Sequence, residues 1–364
     1  MVRPWKLYIL LWSAYDTLLG PGCLLCFEKF AKPTSQNKAG TPALVRWIRG
    51  GWMSFTSVAL QMVTVSLPIL LGWCISKLGF MKAEFERELS HLLLQVALPC
   101  LVLSSALGDD VKLPSIADTF SLMGLSFAMY MVAIVVAFAI TAALRVPKGT
   151  ECSYRFAVLF GNAGFIGFPV ISAVLGKQAL LYASIALIPL NLLMFTVGVM
   201  LFSGMDGGLK KQMRNIAACC KSPGLIASVV VLGIVLTGWT DWGVLGDSIS
   251  IVGTMTTPAA LLLMGSSIAK YRPLEMLTNW RAYVAVAFRL VVVPVACLAV
   301  ARLWPGMTPM FITTLVLEMA MPVGSNGTLY CLQYGKDARP MMQCTFLSII
   351  CSILTIPLVT TLCG

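Results

Sequence analysis

The chain has 364 residues, 58% of them hydrophobic and only 11% charged, with a single histidine and a formal net charge of +11. Its mean hydropathy is +0.87. A water-soluble domain carries about 25% charged residues on its outside, so this composition excludes soluble enzymes, disordered scaffolds and small disulfide-stapled domains. One histidine also leaves almost no raw material for triad or histidine-metal chemistry. Most of the twelve cysteines are scattered through apolar runs, where a thiol behaves as a small hydrophobe, and Cys23-x-x-Cys26 has no second such pair to complete a metal or redox site. No metal, cofactor or catalytic constellation is expected, and the positive charge is read below as loop topology rather than as a surface for nucleic acid.

Crossing a hydrocarbon layer of ~30 Å takes about 20 apolar residues as helix, and lipid offers no partner for open backbone. Residues 1–52 hold a short apolar run broken by Asp16, Gly20, Pro21 and Gly22, then a polar stretch; they are read as a dispensable N-terminal extension. Ten apolar segments follow, near 56–76, 90–107, 117–144, 154–175, 179–202, 223–239, 247–268, 281–304, 309–333 and 341–362. The expected fold is an all-α polytopic membrane protein with ten transmembrane helices. Residues 53–202 and 223–364 form five-helix halves joined by a short loop, 203–222.

Lysine and arginine mark the cytoplasmic loops of membrane proteins. Here alternate loops carry Lys77, Lys82 and Arg87; Arg145, Lys148 and Arg155; Lys210, Lys211, Arg214 and Lys221; Lys270, Arg272 and Arg281; and Lys336 and Arg339. The opposite set holds only Lys112, Lys177 and Arg302 beside acids such as Asp109 and Asp241. The basic loops are therefore expected in the cytoplasm, with the C-terminus outside a plasma membrane.

The two halves echo one another. Pro99 and Pro258 are 159 residues apart, and Gly176-Lys-Gln-Ala179 returns as Gly335-Lys-Asp-Ala338 at the same separation. Because five is odd, a repeated half enters from the other side, giving an inverted repeat with its substrate site near the midplane. The fourth segment contains Gly161, Asn162, Gly164, Gly167 and Pro169; the ninth contains Pro322, Gly324, Ser325, Asn326 and Thr328. Proline removes a donor and clashes with the preceding turn, while glycine loosens the backbone. Both helices are expected to break at equivalent depth and to offer backbone N–H groups to an anion. A single such stretch is equally well a packing feature; two at matching positions favour a site.

The run Gly161-Asn162-Ala163-Gly164-Phe165-Ile166-Gly167-Phe168-Pro169, with Pro189-Leu190-Asn191, Leu98-Pro99 and Met321-Pro322-Val323-Gly324-Ser325-Asn326, resembles the auxin efflux carrier (PIN-like) family over about residues 53–364, in its compact prokaryotic form. The resemblance implies two inverted five-helix repeats, crossing broken helices four and nine, and elevator-type alternating access. It also implies a small organic anion as substrate, auxin in plants and malonate- or malate-type carboxylates in bacteria. Homodimers occur in the family, though no motif here demands one. Carried over by residue, Asn162 and Asn326 would hold a carboxylate. Gly161, Gly164, Ser325, Thr328 and Asn191 would complete the site, and Gly167, Pro169, Pro322 and Gly324 would open the helices. The plant Asn-Pro-Asn crossover pattern is missing, which argues against auxin itself.

Arg289 and Glu318 are the charges most clearly inside the apolar segments. Two readings stay open for them, a structural pair between the eighth and ninth segments and a coupling role for Glu318 as a protonation switch. Efflux of an organic anion is the expected function. A sodium-coupled symporter of the bile-acid type would need clustered acid and amide ligands, and a membrane-embedded enzyme would need an interfacial His, Asp or Glu cluster.

Overall fold

A computed structural model describes residues 55–108, 111–203, 221–271 and 273–363, all as helices and their connections. The predicted extension 1–52 and most of the loop 203–222 lie outside the described residues. Helix α1 is Phe55–Lys77, α2 runs over 83–104 and α3 is Ile116–Ala143. The fourth segment is two helices, α4 Glu151–Leu159 and α5 Ala163–Leu175. Then come α6 Lys177–Ser203, α7 Pro223–Thr237, α8 Gly243–Ala269 and α9 Trp280–Leu303. The ninth segment is again two helices, α10 Pro309–Met319 and α11 Asn326–Gln333, and α12 is Arg339–Cys363.

Among the described residues, α3, α6, α8, α9 and α12 are each long and apolar enough to cross a membrane unaided. At 1.5 Å per residue, even the 24-residue α9 spans about 36 Å. Large apolar side chains such as Leu67, Val135, Ile251 and Leu354 stand on the surface. Such a surface is a liability in water and an asset in lipid. The protein is membrane-embedded, and its described residues are helices and their connections.

Among the described residues four helices carry a π turn: Leu93–Ala97 in α2, Ala163–Gly167 in α5, Met194–Gly198 in α6 and Phe288–Val292 in α9. Three of the four are followed two residues later by a proline, Pro99, Pro169 and Pro294. A proline ring cannot share space with the carbonyl four residues earlier. In each case that carbonyl lies inside the widened turn, so the helix swells rather than breaks. Turns of this kind collect at functional sites.

Among the described residues two apolar cores organise the interior. A small one joins α2 and α8 through Leu93, Ala97, Ala260 and Leu263. The large one gathers side chains from most of the remaining helices, including Met129, Phe156, Ile171, Leu187, Leu290 and Leu315. Helices α1 and α8 approach backbone to backbone. A Cβ added at Gly72 would strike the Leu262 carbonyl, and one at Gly265 the Ile69 carbonyl. Small residues permit this closeness where lipid supplies no hydrophobic drive between helices.

Candidate functional site

Helix α4 stops at Leu159, and Phe160 turns extended (φ −112°, ψ 119°). Asn162 then opens α5: its side-chain oxygen accepts the Phe165 N–H at 3.1 Å, the capping bond that short polar residues make at a helix start. With the oxygen engaged, the amide NH2 is the polar group Asn162 retains for another partner. In the ninth segment α10 ends at Met319, and α11 does not begin until Asn326. Pro322 sits in the gap, with no N–H to give to a continuing helix.

The two unwound stretches cross and pair with each other. The Asn162 N–H donates to the Pro322 carbonyl at 2.7 Å and the Gly324 N–H to the Phe160 carbonyl at 3.0 Å, forming one antiparallel bridge between Gly161 and Val323. The Val323 N–H donates to Ser348 Oγ of α12 at 3.0 Å. Backbone groups that two broken helices would leave bare in a membrane interior thus answer one another.

Arg289, from the π turn of α9, is buried at this crossing. Its Nε donates to the Met321 carbonyl at 3.0 Å, and its Nη1 donates to the carbonyls of Val158 and Leu159 at 3.2 and 3.0 Å. These belong to the carbonyl ends of the two incoming helices, which carry partial negative charge. A Cβ on Gly161 would collide with Nη2, so the glycine makes room for the guanidinium. Glu318 is equally buried, and neither carboxylate oxygen accepts a hydrogen bond. Arg289 therefore spends donors on backbone carbonyls of both broken segments, with Glu318 in electrostatic range rather than hydrogen-bonded to it.

A cavity of about 430 Å³ opens beside the crossing, within the range that holds small ligands. Of the residues expected at the site, Gly161, Asn162, Gly164, Asn191, Gly324, Ser325 and Asn326 line it. Thr328, Gly167, Pro169 and Pro322 are not in the lining, nor are Arg289 and Glu318. Asn326 Nδ2 contacts Met194 Sδ at 3.1 Å, a weak acceptor, and Asn191 Nδ2 has no hydrogen-bond partner at all. Gln95, Tyr330, Gln333, Ser222 and His91 complete the polar wall. Among the described residues, no Lys, Arg, Asp or Glu lines the cavity.

Neither Gln95 nor Gln333 is among the residues expected at the site from the sequence. Gln95 did carry a signal, a polar residue inside an apolar run four positions before Pro99. The chemistry of this lining is that of uncharged donors. Helices α5 and α11 begin at the crossing with their positive ends, while Arg289 neutralises the negative ends of α4 and α10. The local field then favours an anion, with no fixed cation among the described lining residues. Among the described residues, no group of three His, Cys, Asp or Glu is arranged to hold a metal ion.

The cavity also has a direction. From the crossing, its lining runs along α2 toward His91, along α6 toward Phe195, to Ser222 at the start of α7 and to Gln333 at the end of α11. All four lead to loops of the basic set.

Comparison with known proteins gives a concordant result. A family model described as "Membrane transport protein" matches residues 57–360. An uncharacterized transporter of Methanothermobacter thermautotrophicus is 24% identical over 307 residues, covering 84% of this chain and 98% of that protein. An uncharacterized transporter of Methanocaldococcus jannaschii is 21% identical over 81% of this chain and 95% of its own length. A Rhizobium meliloti protein whose name proposes malonate transport is 25% identical over 73% of this chain and 83% of its own.

Proposed function

The chain belongs to the membrane transport protein family, that of the auxin efflux carriers, and from that premise we propose that it is a secondary carrier exporting a small organic anion, a mono- or dicarboxylate. The observation that carries this reading is the uncharged, amide-rich cavity at a crossing where two helices begin. Asn162, Asn191 and Asn326 would donate to the carboxylate, joined by the first N–H groups of α5 and α11. An anion held by amides and helix ends, with no ion pair to break, is one that can also leave. The bridge between the broken segments and the recurrence of sequence at 159 residues support a ten-helix inverted repeat.

With the basic loops in the cytoplasm of a plasma membrane, the cavity as built faces inward, the loading state for export. Moving the crossing past the small core of α2 and α8 would expose the same site on the other side, an elevator-type cycle. An inside-negative potential drives an anion outward by about 2.3 kcal/mol per charge per 100 mV. The malonate in the name of the Rhizobium relative puts a short dicarboxylate first on the list of substrates.

The test is flux of labelled mono- and dicarboxylates in proteoliposomes under an imposed potential. Saturable movement of one carboxylate that reverses with the sign of the potential supports the proposal. Correctly folded protein that moves none of them refutes it.

A further inference from the structure

At the crossing two helices end and two begin, and the ends carry opposite partial charge. The beginning ends face the cavity. The finishing ends do not: Val158 and Leu159 of α4 and Met321 beyond α10 turn their carbonyls to one guanidinium. Glu318, in the last turn of α10, is one turn from Met321, whose N–H donates to the Glu318 backbone carbonyl at 3.3 Å, and it keeps both carboxylate oxygens free of hydrogen bonds. Three carbonyls and one bare carboxylate, drawn from two broken helices, are hard oxygen donors of the kind that bind hard cations. In carriers built on discontinuous helices, opened carbonyls and helix C-terminal ends are where a coupling ion sits. In this chain an arginine, which keeps its proton in proteins, is covalently fixed in that place. Gly161 is the residue that lets it fit, since any side chain there would meet Nη2.

We propose that Arg289 is a built-in countercation, occupying the place a mobile metal cation would otherwise take. The protein then completes its crossing without bound Na⁺ or K⁺, and removing the guanidinium uncovers a site for a small monovalent cation made by the carbonyls of Val158, Leu159 and Met321 with the Glu318 carboxylate. Only the consequence for flux rests on the carrier reading.

The test is thermal unfolding of the full chain in detergent, in sodium, potassium or choline chloride at equal ionic strength. The wild-type Tm is expected to be the same in all three salts. Arg289→Ala is expected to unfold several degrees lower in choline, because three carbonyls and a carboxylate lose their cation. Sodium or methylguanidinium, added in millimolar amounts, should restore part of that loss saturably, and Arg289→Ala/Glu318→Gln should lose the sodium response. Arg289→Lys keeps the charge and should fold without any preference for sodium, which provides a reading if the alanine variant does not fold. A wild-type Tm raised specifically by Na⁺ or K⁺, an alanine variant indifferent to every cation, or a lysine variant stabilised by sodium would each overturn the proposal. In proteoliposomes, wild-type flux of labelled malonate should be unchanged when choline replaces sodium on both sides, and flux that required sodium would overturn it too. Absence of flux of any carboxylate in either salt would refute the carrier reading alone, since the unfolding result does not depend on transport.

Discussion

Two buried carboxyl groups, Glu86 and Glu318, lie in regions that treat an acid in opposite ways. Glu86, near the start of α2, is 6% exposed. It accepts the Ser266 hydroxyl and pairs with Lys270 Nζ, both at the end of α8. Glu318, at the end of α10, is 1% exposed and accepts nothing. The first charge is answered by direct contact between two helices of the small core and braces them together. The second receives no donor from Arg289, whose hydrogen bonds go to backbone carbonyls. Buried acids left without hydrogen bonds are expensive. One that persists marks a place organised for something other than stability, and here that place is the crossing.

The contrast can be broken most forcefully at Gly161. Gly161→Val pushes a side chain into Arg289 Nη2 and toward the Met321 carbonyl, 3.1 Å from a Cβ at this position. Overpacking against backbone costs about 1–3 kcal/mol and occasionally more, so little folded, monodisperse protein should survive by size-exclusion chromatography. Glu86→Gln breaks the brace and leaves Lys270 without its acid. A destabilisation of about 1–3 kcal/mol is expected by thermal unfolding, eased by the partial exposure of Lys270. Glu318→Gln should lower Tm less than Glu86→Gln does, because no hydrogen bond is lost, and it should leave the pH profile of flux unchanged. A flattened profile would give Glu318 a proton-carrying role and remove it from the static pair with Arg289. The smallest stability effect belongs to Asn191→Ala. Its amide nitrogen has no partner to lose, so stability should change by no more than about 0.5 kcal/mol, while the KM of flux rises. Thr328→Val, outside the cavity lining, should leave that KM alone.

How far these features could be read in advance follows the nature of the signal. The breaks in the fourth and ninth segments were visible because proline and glycine act on their own backbone. The asparagines were visible as amides where a membrane helix has no ordinary use for one. Arg289 was visible as a charge but not in its partners, since it binds the carbonyls of Val158, Leu159 and Met321, and a carbonyl carries no residue identity. The π turns were half legible. Pro99, Pro169 and Pro294 announce a disturbance four residues upstream, whereas Met194–Gly198 has no such marker. The wall formed by Gln95, Ser222, Tyr330 and Gln333 depends on which helices meet across the cavity, and no local pattern in the chain states that.

Flux of the transported carboxylate by Asn162→Ala/Asn326→Ala, compared with wild type in the same proteoliposomes and with folding checked by thermal unfolding, tests the crossing as the substrate site most directly. Folded double variant with its saturable flux abolished is the expected result. Flux retained with an unchanged KM would place the anion elsewhere and contradict the site.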